Sequence, residues 1–425
     1  MYNRIIFLLF VILIIVFNPI TYLEFFDYDG YMKISNKLII IIIDIFLLIS
    51  AVFFFINRQN TKNTLIKYLK LTFINGIGIL ICILILELIF GDWVHSKNNL
   101  SSYNNLLIKR NFYQTYNIDS LYENNNKFIE YKRDRFGFRG TYDNLKSIDI
   151  VTMGGSTTDQ RYIDEKQTWQ EIIFQKSILD ENPISLVNAG VDGMSTYGHI
   201  KSIKHWLSEI DDLKPEFFLF YLGVNDVWKD TLDLYPNDKI LADREKSFFE
   251  KSILWNTKII IDNIFDERVK NINHGNNTNI MNEEWLDYGL LENYDFLNPY
   301  LNAYKERLMM IDKLVKEIGS RTIIVTNTSN LFKIKKNTII GRDIKFQYHG
   351  KDINGVDYGH IYRLFHETSR LFCKENDVVF FNLAEDLIFD GNNDFYDSVH
   401  NTPSGTKKIG DYLFDRIKEL NLSLN

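Results

Sequence analysis

The pattern of apolar and polar positions divides the chain into two parts with different periods. The first part holds three long apolar runs. Ile5–Phe17 is unbroken apolar sequence and continues past Asn18 and Pro19 to Leu23. Leu38–Ile56 is apolar except for Asp44 and Ser50. Leu71–Phe90 is apolar except for Thr72, Asn75 and Glu87, with small residues at Gly76, Gly78 and Cys82. Each run approaches or reaches the roughly 20 residues that a helix needs to cross a bilayer. The pattern therefore predicts a membrane anchor of three transmembrane helices over residues 1–90. No small-x-small cleavage site follows the first run, and two further spans do, so it is expected to be an uncleaved anchor rather than a signal peptide. Arg58, Lys62, Lys67 and Lys70 lie between the second and third runs, whereas Glu24, Asp27 and Asp29 offset Lys33 and Lys37 between the first and second. Excess positive charge marks the cytoplasmic side. The N-terminus, with Arg4, is then cytoplasmic, and everything after Phe90 is expected outside, in the periplasm or at the cell exterior. Asp44 and Glu87 fall in the outer part of their spans, where acids either pack helices together or serve a function.

Beyond the third run the period changes. Residues 91–146 are polar and aromatic without a proline- or serine-rich stretch, and they read as a juxtamembrane connector that packs on the following domain. From Ser147 onward, short apolar runs alternate with helical stretches. Strands are expected at Ser147–Met153, Ile184–Asn188, Glu216–Leu222, Thr322–Thr326 and Val378–Leu383, and their Val, Ile, Leu and Phe content suits burial on both faces. The clearest helix is Asn302–Ile318, where Tyr304, Leu308, Ile311, Val315 and Ile318 form one face and Gly319 supplies the stop. Strands alternating with helices predict an α/β fold over 147–425, a parallel sheet between helix layers, preceded by the three transmembrane helices. Ligands would bind at the carboxyl ends of the strands. No good strand stands between Val227 and Tyr300, and Asp266–Glu284 is polar. Residues 228–300 therefore read as an insertion after the third strand.

Composition narrows the function. A chain of 425 residues is too long for one compact core. A net charge of -7 argues against a nucleic-acid partner. The two cysteines, Cys82 and Cys373, give no disulfide framework, and no Cys or His spacing suits a metal, so neither metal nor cofactor is expected.

Four stretches carry candidate chemistry. The run from Asp149 to Met153 ends in Gly154 and Gly155, and Ser156 follows at the start of a helical stretch. Helix N-termini favour negative charge, which suits a nucleophile whose intermediate is an oxyanion. Taken alone, the same segment is more often a serine-capped turn. Near the C-terminus, Asp397-Ser-Val-His400 precedes Thr402 and Pro403, the expected cap and first residue of the last helix. A turn there folds the carboxylate back onto the imidazole, although a lone Asp-x-x-His is more often a surface pair. Gly193, after the second strand, offers a backbone N–H, and Asn225, after the third, offers a side-chain amide. With the Ser156 N–H these make three candidate oxyanion donors, each equally at home in a turn. The set is what changes the reading, because each member falls at a carboxyl-edge loop or just before the last helix. Tyr197, His199 and Trp228 are near enough in sequence to line the cleft, and core packing accounts for the two aromatics equally well.

Together these blocks resemble those of the SGNH (GDSL-type) hydrolase superfamily, in family order. Gly154-Gly-Ser-Thr157 resembles the first block, with Ser156 the implied nucleophile. Asn188-Ala-Gly-Val-Asp-Gly193 resembles the second and Gly223-Val-Asn-Asp226 the third, with Gly193 and Asn225 the implied oxyanion donors. Asp397-Ser-Val-His400 resembles the last, with His400 as base and Asp397 as its partner. The likeness covers Ser147–Asn425 without the insertion. It departs at Gly155 and Thr157, which replace the Asp and Leu of the GDSL name, and neither position reacts. Gly137-Phe-Arg-Gly140 resembles a run in extracytoplasmic members linked to sugar O-acyl chemistry. The resemblance implies an SGNH/flavodoxin-like three-layer sandwich. It also implies an extracytoplasmic serine esterase acting on an O-acyl ester of a cell-envelope glycan, with O-acetyl the expected group. One alternative is an O-acyltransferase that modifies an envelope polysaccharide and takes its acyl group from a donor or a membrane acyl-transfer partner. Another is a non-catalytic glycan-binding or assembly protein on the same scaffold. Expected partners are the acylated glycan or another ester substrate and the lipid bilayer.

Overall fold

The computed structural model describes residues 108–228 except 125, residue 232, residues 269–271, and residues 284–420 except 336, 337 and 392, together with scattered positions between 10 and 87. The chain forms two compact units, one of Met1–Asn104 with Ala242–Glu267 and one of Asn105–Leu241 with Arg268–Asn425. In the first unit the described positions are helical and fall in the three apolar runs: Phe10, Val11 and Ile14, then Ile41 to Leu48 in part, then Gly76 to Glu87 in part. The rest of the three predicted spans lies outside the described residues. Among the described residues no helix is long and apolar enough to cross a membrane.

The second unit begins with the antiparallel pair β1 (Phe112–Asn117) and β2 (Phe128–Arg133). An α/β succession follows: β3 (Ile150–Gly154), α1 (Ser156–Asp159), α2 (Trp169–Leu179), β4 (Leu186–Asn188), α3 (Thr196–His205), β5 (Phe217–Leu222) and α4 (Val224–Val227). Next come the short strands β6 (Val269–Asn271) and β7 (Trp285–Leu286), then α5 (Asn298–Ile318) and β8 (Arg321–Thr326). Two hairpins intervene, β9 (Phe332–Lys335) with β10 (Thr338–Arg342) and β11 (Phe346–Tyr348) with β12 (Lys351–Ile353). The chain closes with α6 (Gly355–Asn376), β13 (Val379–Phe381), α7 (Leu383–Asp386) and α8 (Pro403–Lys418).

Five strands form one parallel sheet in the order β13-β8-β5-β3-β4. All of β3 and all of β5 are buried, as the unbroken apolar run of β5 and the mostly apolar run of β3 require. On one face Phe217, Leu219 and Tyr221 pack with Trp169 and Ile173 of α2 and with Ile409, Leu413 and Ile417 of α8. On the other, α5 packs between α3 and α6, and Phe220 meets His199 of α3 at 5.9 Å. Helix ends follow local chemistry. Asn354 and Asp357 form a reciprocal cap on α6, Thr402 caps α8 with Pro403 behind it, and Gly319 ends α5 at φ 89°. The chain winds from β3 outward to β4, then returns past β3 to β5. That reversal opens a crevice at the carboxyl ends of β3 and β5, where this kind of sheet binds ligands.

Several expectations need correction. β6 and β7 lie where no strand was expected. β6 adds parallel to β1, and β7 adds antiparallel to β10. Both are too short to show a period, and their partners are distant in sequence. The two hairpins between β8 and α6 were not foreseen either. β3 starts at Ile150 rather than Ser147, because Asn144 caps a one-turn 3-10 helix over Leu145–Ser147. Most of the 228–300 insertion lies outside the described residues. Residues from Asn105 onward fall in the same compact unit as the sheet. Arg139 and Asn188 exchange backbone hydrogen bonds of 3.0 and 2.8 Å, so the segment before the sheet pairs with its β4 edge.

Candidate active site

The crevice holds the serine. β3 ends at Gly154, Gly155 turns the chain, and Ser156 opens α1. A Cβ at Gly154 would fall 2.0 Å from the Thr158 hydroxyl, and one at Gly155 would fall 2.0 Å from Asn225 Nδ2. Both glycines are therefore demanded by close approach. Ser156 Oγ lies 2.7 Å from His400 Nε2, and His400 Nδ1 lies 2.6 Å from Asp397 Oδ2.

The loop that presents this pair is itself held in shape. The Tyr396 N–H donates to the His400 carbonyl at 3.0 Å. Asp397 Oδ1 accepts the Val399 and His400 N–H groups at 2.8 and 2.7 Å. Burial pushes the Asp397 carboxyl up, but the hydrogen bonds and charge of His400 and the two backbone donors overcome it and hold the group below the usual carboxylate range. Asp397 is therefore ionised at neutral pH. It draws the imidazole proton to Nδ1, which leaves the Nε2 lone pair facing Ser156.

The residues expected as oxyanion donors sit at the start of α1 and on the next two loops. Among the described residues no acceptor takes the Ser156 or Gly193 backbone N–H. Gly193 has φ +75°, is exposed, and a Cβ there would meet nothing within 4 Å. Asn225 Nδ2 donates to the Met194 carbonyl at 2.8 Å. An amide carries two donors, so one remains for a ligand.

Residues that were not singled out from sequence lock these loops together. Asp226 accepts from the Thr196 N–H at 3.0 Å and from its hydroxyl at 2.5 Å. Arg307 Nε donates to the same hydroxyl at 2.8 Å. This buried knot ties the loop of Gly193 to that of Asn225. The available signal was Arg307 itself, a charge inside the apolar stripe of α5 beside Tyr304, Leu308 and Ile311. Under the loop of Asp397 and His400, the Ser329 hydroxyl and the Asn330 N–H both donate to the Ser398 carbonyl, at 2.7 and 2.8 Å. Arg342 donates to Asn330 in turn, to its carbonyl at 2.9 Å and its side chain at 3.0 Å.

The segment before the sheet braces the serine turn. Arg139 donates to the carbonyls of Asp159, Gln160 and Ile163 at 2.8, 2.7 and 2.6 Å. These carbonyls lie at and beyond the end of α1, and the Gln160 carbonyl also accepts the Ile163 N–H at 2.9 Å. Arg133 and Tyr131 donate to the Asp159 carboxylate at 2.6 and 2.7 Å, and Arg133 also reaches the Gly190 carbonyl. The Gly-Phe-Arg-Gly140 run thus has a structural task.

Of the weaker candidates, His199 lies in the core. Burial pushes its imidazole down to about 3, so it is neutral and apart from the site. Trp228 is half exposed beyond Asn225, its Nε1–H donating to the Tyr358 hydroxyl at 2.7 Å. Tyr197 is half-buried beneath the Lys201 ammonium. Among the described residues no cluster of His, Cys, Asp or Glu is arranged to hold a metal ion.

Solved structures similar to this chain include a psychrotrophic esterase from Pseudoalteromonas sp., at 12% identity over 64% of this chain and 98% of that one, with a TM-score of 0.36. A member of the lipolytic G-D-S-L family from Veillonella parvula matches at 15% identity over 65% and 98%, with a TM-score of 0.35. A carbohydrate acetylesterase from Sinorhizobium meliloti matches at 11% identity over 64% and 99%, with a TM-score of 0.34. No family model matches the chain, and no curated protein does.

Proposed function

We propose that this chain is a membrane-anchored, extracytoplasmic serine esterase that removes O-acyl groups, acetyl first among them, from a cell-envelope glycan. The observation that carries the chemistry is the continuous Asp397–His400–Ser156 relay at 2.6 and 2.7 Å beside the Asn225 amide. His400 takes the Ser156 proton as Oγ attacks the ester carbonyl carbon. The carbonyl oxygen becomes an anion held by the Ser156 and Gly193 N–H groups and the Asn225 amide. The imidazolium is stabilised by Asp397 and then protonates the leaving alkoxide, which leaves an acyl-serine. Water resolves it by the same route in reverse, giving the free acid and restoring Ser156.

The outward location and the anchor rest on the charge pattern around the three apolar runs. The glycan rests on that location and on the Gly-Phe-Arg-Gly140 resemblance. The test is the full chain in detergent, treated with a fluorophosphonate probe and assayed for acetate release from acetylated oligosaccharides. Loss of labelling and release in Ser156→Ala is expected, and equal activity in that variant would sink the reading. Acetyl moved onto an added glycan acceptor, without free acetate, would replace hydrolysis by transfer. A reporter fused after Phe90 should be active only outside the cytoplasm.

A further inference from the structure

The wall of the site does not end at His400. The Tyr396 ring lies parallel to the imidazole, 7° between planes and 5.5 Å between centroids. Tyr122 packs on Tyr396 at 5.7 Å, and its hydroxyl donates to the Tyr162 carbonyl at 2.6 Å, which locks the ring in place. All three tyrosines are half-buried, so part of each remains open. Tyr122 comes from the segment between the apolar runs and the sheet. At the other lip, Asp192 immediately precedes the Gly193 donor and pairs with Arg161 at 3.2 Å. Arg161 directly precedes Tyr162, whose carbonyl holds the Tyr122 hydroxyl, so the ion pair and the ring wall belong to one neighbourhood.

The direction of proton transfer says which part of the substrate this wall meets. The leaving alcohol receives its proton from His400 Nε2 and must lie within hydrogen-bond reach of it. Whatever continues outward from the imidazole therefore contacts the alcohol moiety rather than the acyl group. Aromatic faces suit the C–H face of a pyranose, and a neighbouring guanidinium–carboxylate pair supplies donors and acceptors for hydroxyls. A lipid alcohol would instead call for an apolar groove without an ion pair.

We infer that Tyr122 and Tyr396, with the Arg161–Asp192 pair beside them, form the alcohol subsite and hold a sugar ring, which makes Tyr122 a specificity-determining residue supplied by the segment that precedes the sheet. This rests on the esterase reading above. The test compares kcat/KM for an acetylated pyranose oligosaccharide with that for vinyl acetate, whose leaving group has no ring, using the full chain in detergent. In Tyr122→Leu the ratio of the two should fall about three- to tenfold, mainly through KM for the sugar ester. Tyr122→Phe keeps the ring face and should restore most of the ratio. Asp192→Ala, at an exposed position, should lower the ratio independently of any effect of Tyr122 on folding. Equal losses on both substrates in Tyr122→Leu and Asp192→Ala, or no change in the ratio, would overturn the subsite. If the parent enzyme neither takes the fluorophosphonate nor hydrolyses vinyl acetate, the esterase reading falls and the subsite with it. If the parent does both and the ratio stays put, only the subsite falls.

Discussion

Gly155→Ala tests the geometry of the proposed oxyanion site more sharply than removing the proposed nucleophile. Gly155 has φ −85°, so the backbone itself does not bar alanine. The obstacle is space, since an added Cβ lies 2.0 Å from Asn225 Nδ2 and 3.2 Å from the Met194 carbonyl oxygen. Ordinary contact needs about 3.5 Å, so the amide must retreat by about 1.5 Å. Its 2.8 Å hydrogen bond to Met194 is then lost. The same movement carries the second amide donor out of the window of about 2.7–3.1 Å in which it serves an oxyanion. Loss of one such donor costs about 2.7–4 kcal/mol of barrier, or on the order of 10²–10³ in kcat. KM should change by less than about threefold, because the donor acts mainly in the transition state. Folding stability should fall by only about 1 kcal/mol, from the Met194 bond. Asn225→Ala should cost a similar factor, and the double variant should cost little more than either alone. The assay is steady-state hydrolysis of a small acetate ester, with urea unfolding alongside. A Gly155→Ala enzyme that keeps kcat within about threefold of the parent, or a double variant whose loss is the product of the two single losses, refutes the reasoning.

Three further outcomes follow from the same geometry. Asp397→Asn removes the charge that stabilises the imidazolium and favours the wrong tautomer, so kcat should drop by roughly 10³–10⁴ with fluorophosphonate labelling slowed in step; a drop of less than tenfold would contradict the relay. Arg139→Ala leaves the Asp159 and Ile163 carbonyls without their donor, at about 1–3 kcal/mol for each one that water cannot reach, so the urea midpoint should fall well before activity per folded molecule does; an unchanged midpoint would show the brace to be dispensable. His199 is held neutral by burial, at about 3 against an unperturbed 6.5. The unfolded chain therefore binds a proton below pH 6.5 that the folded chain refuses, so stability falls as pH drops through that window, by about 2 kcal/mol at pH 5. His199→Leu should flatten this part of the stability–pH curve, and an unaltered slope would mean that His199 titrates normally.

Much of the sheet domain was legible along the chain. The unbroken apolar run of β5 and the mostly apolar run of β3 demand burial on both faces, and a sheet between helix layers provides it. Thr402-Pro403 and Gly319 mark helix ends through their own backbone chemistry. Ser156, Gly193, Asn225, Asp397 and His400 could be placed at one sheet edge because each follows a strand end or precedes the last helix. Such features are local, since the signal and its cause lie within one element.

Other features took form only when distant segments met. β6 and β7 exist because β1 and β10 offer open edges, and no period within three or two residues could announce them. In sequence Gly155 shows only as a position that does not react, yet Asn225, seventy positions later in the chain, occupies the space that a Cβ there would need. Arg139, Arg307 and Asn330 gain their tasks from unpaired groups brought to them by folding, and Tyr122 meets His400 through Tyr396. The sequence by itself determined which elements form and which chemical groups stand at their ends. The tertiary structure decided which of those groups touch, because a hydrogen bond or a steric limit depends on distances of an ångström between residues that no local period connects.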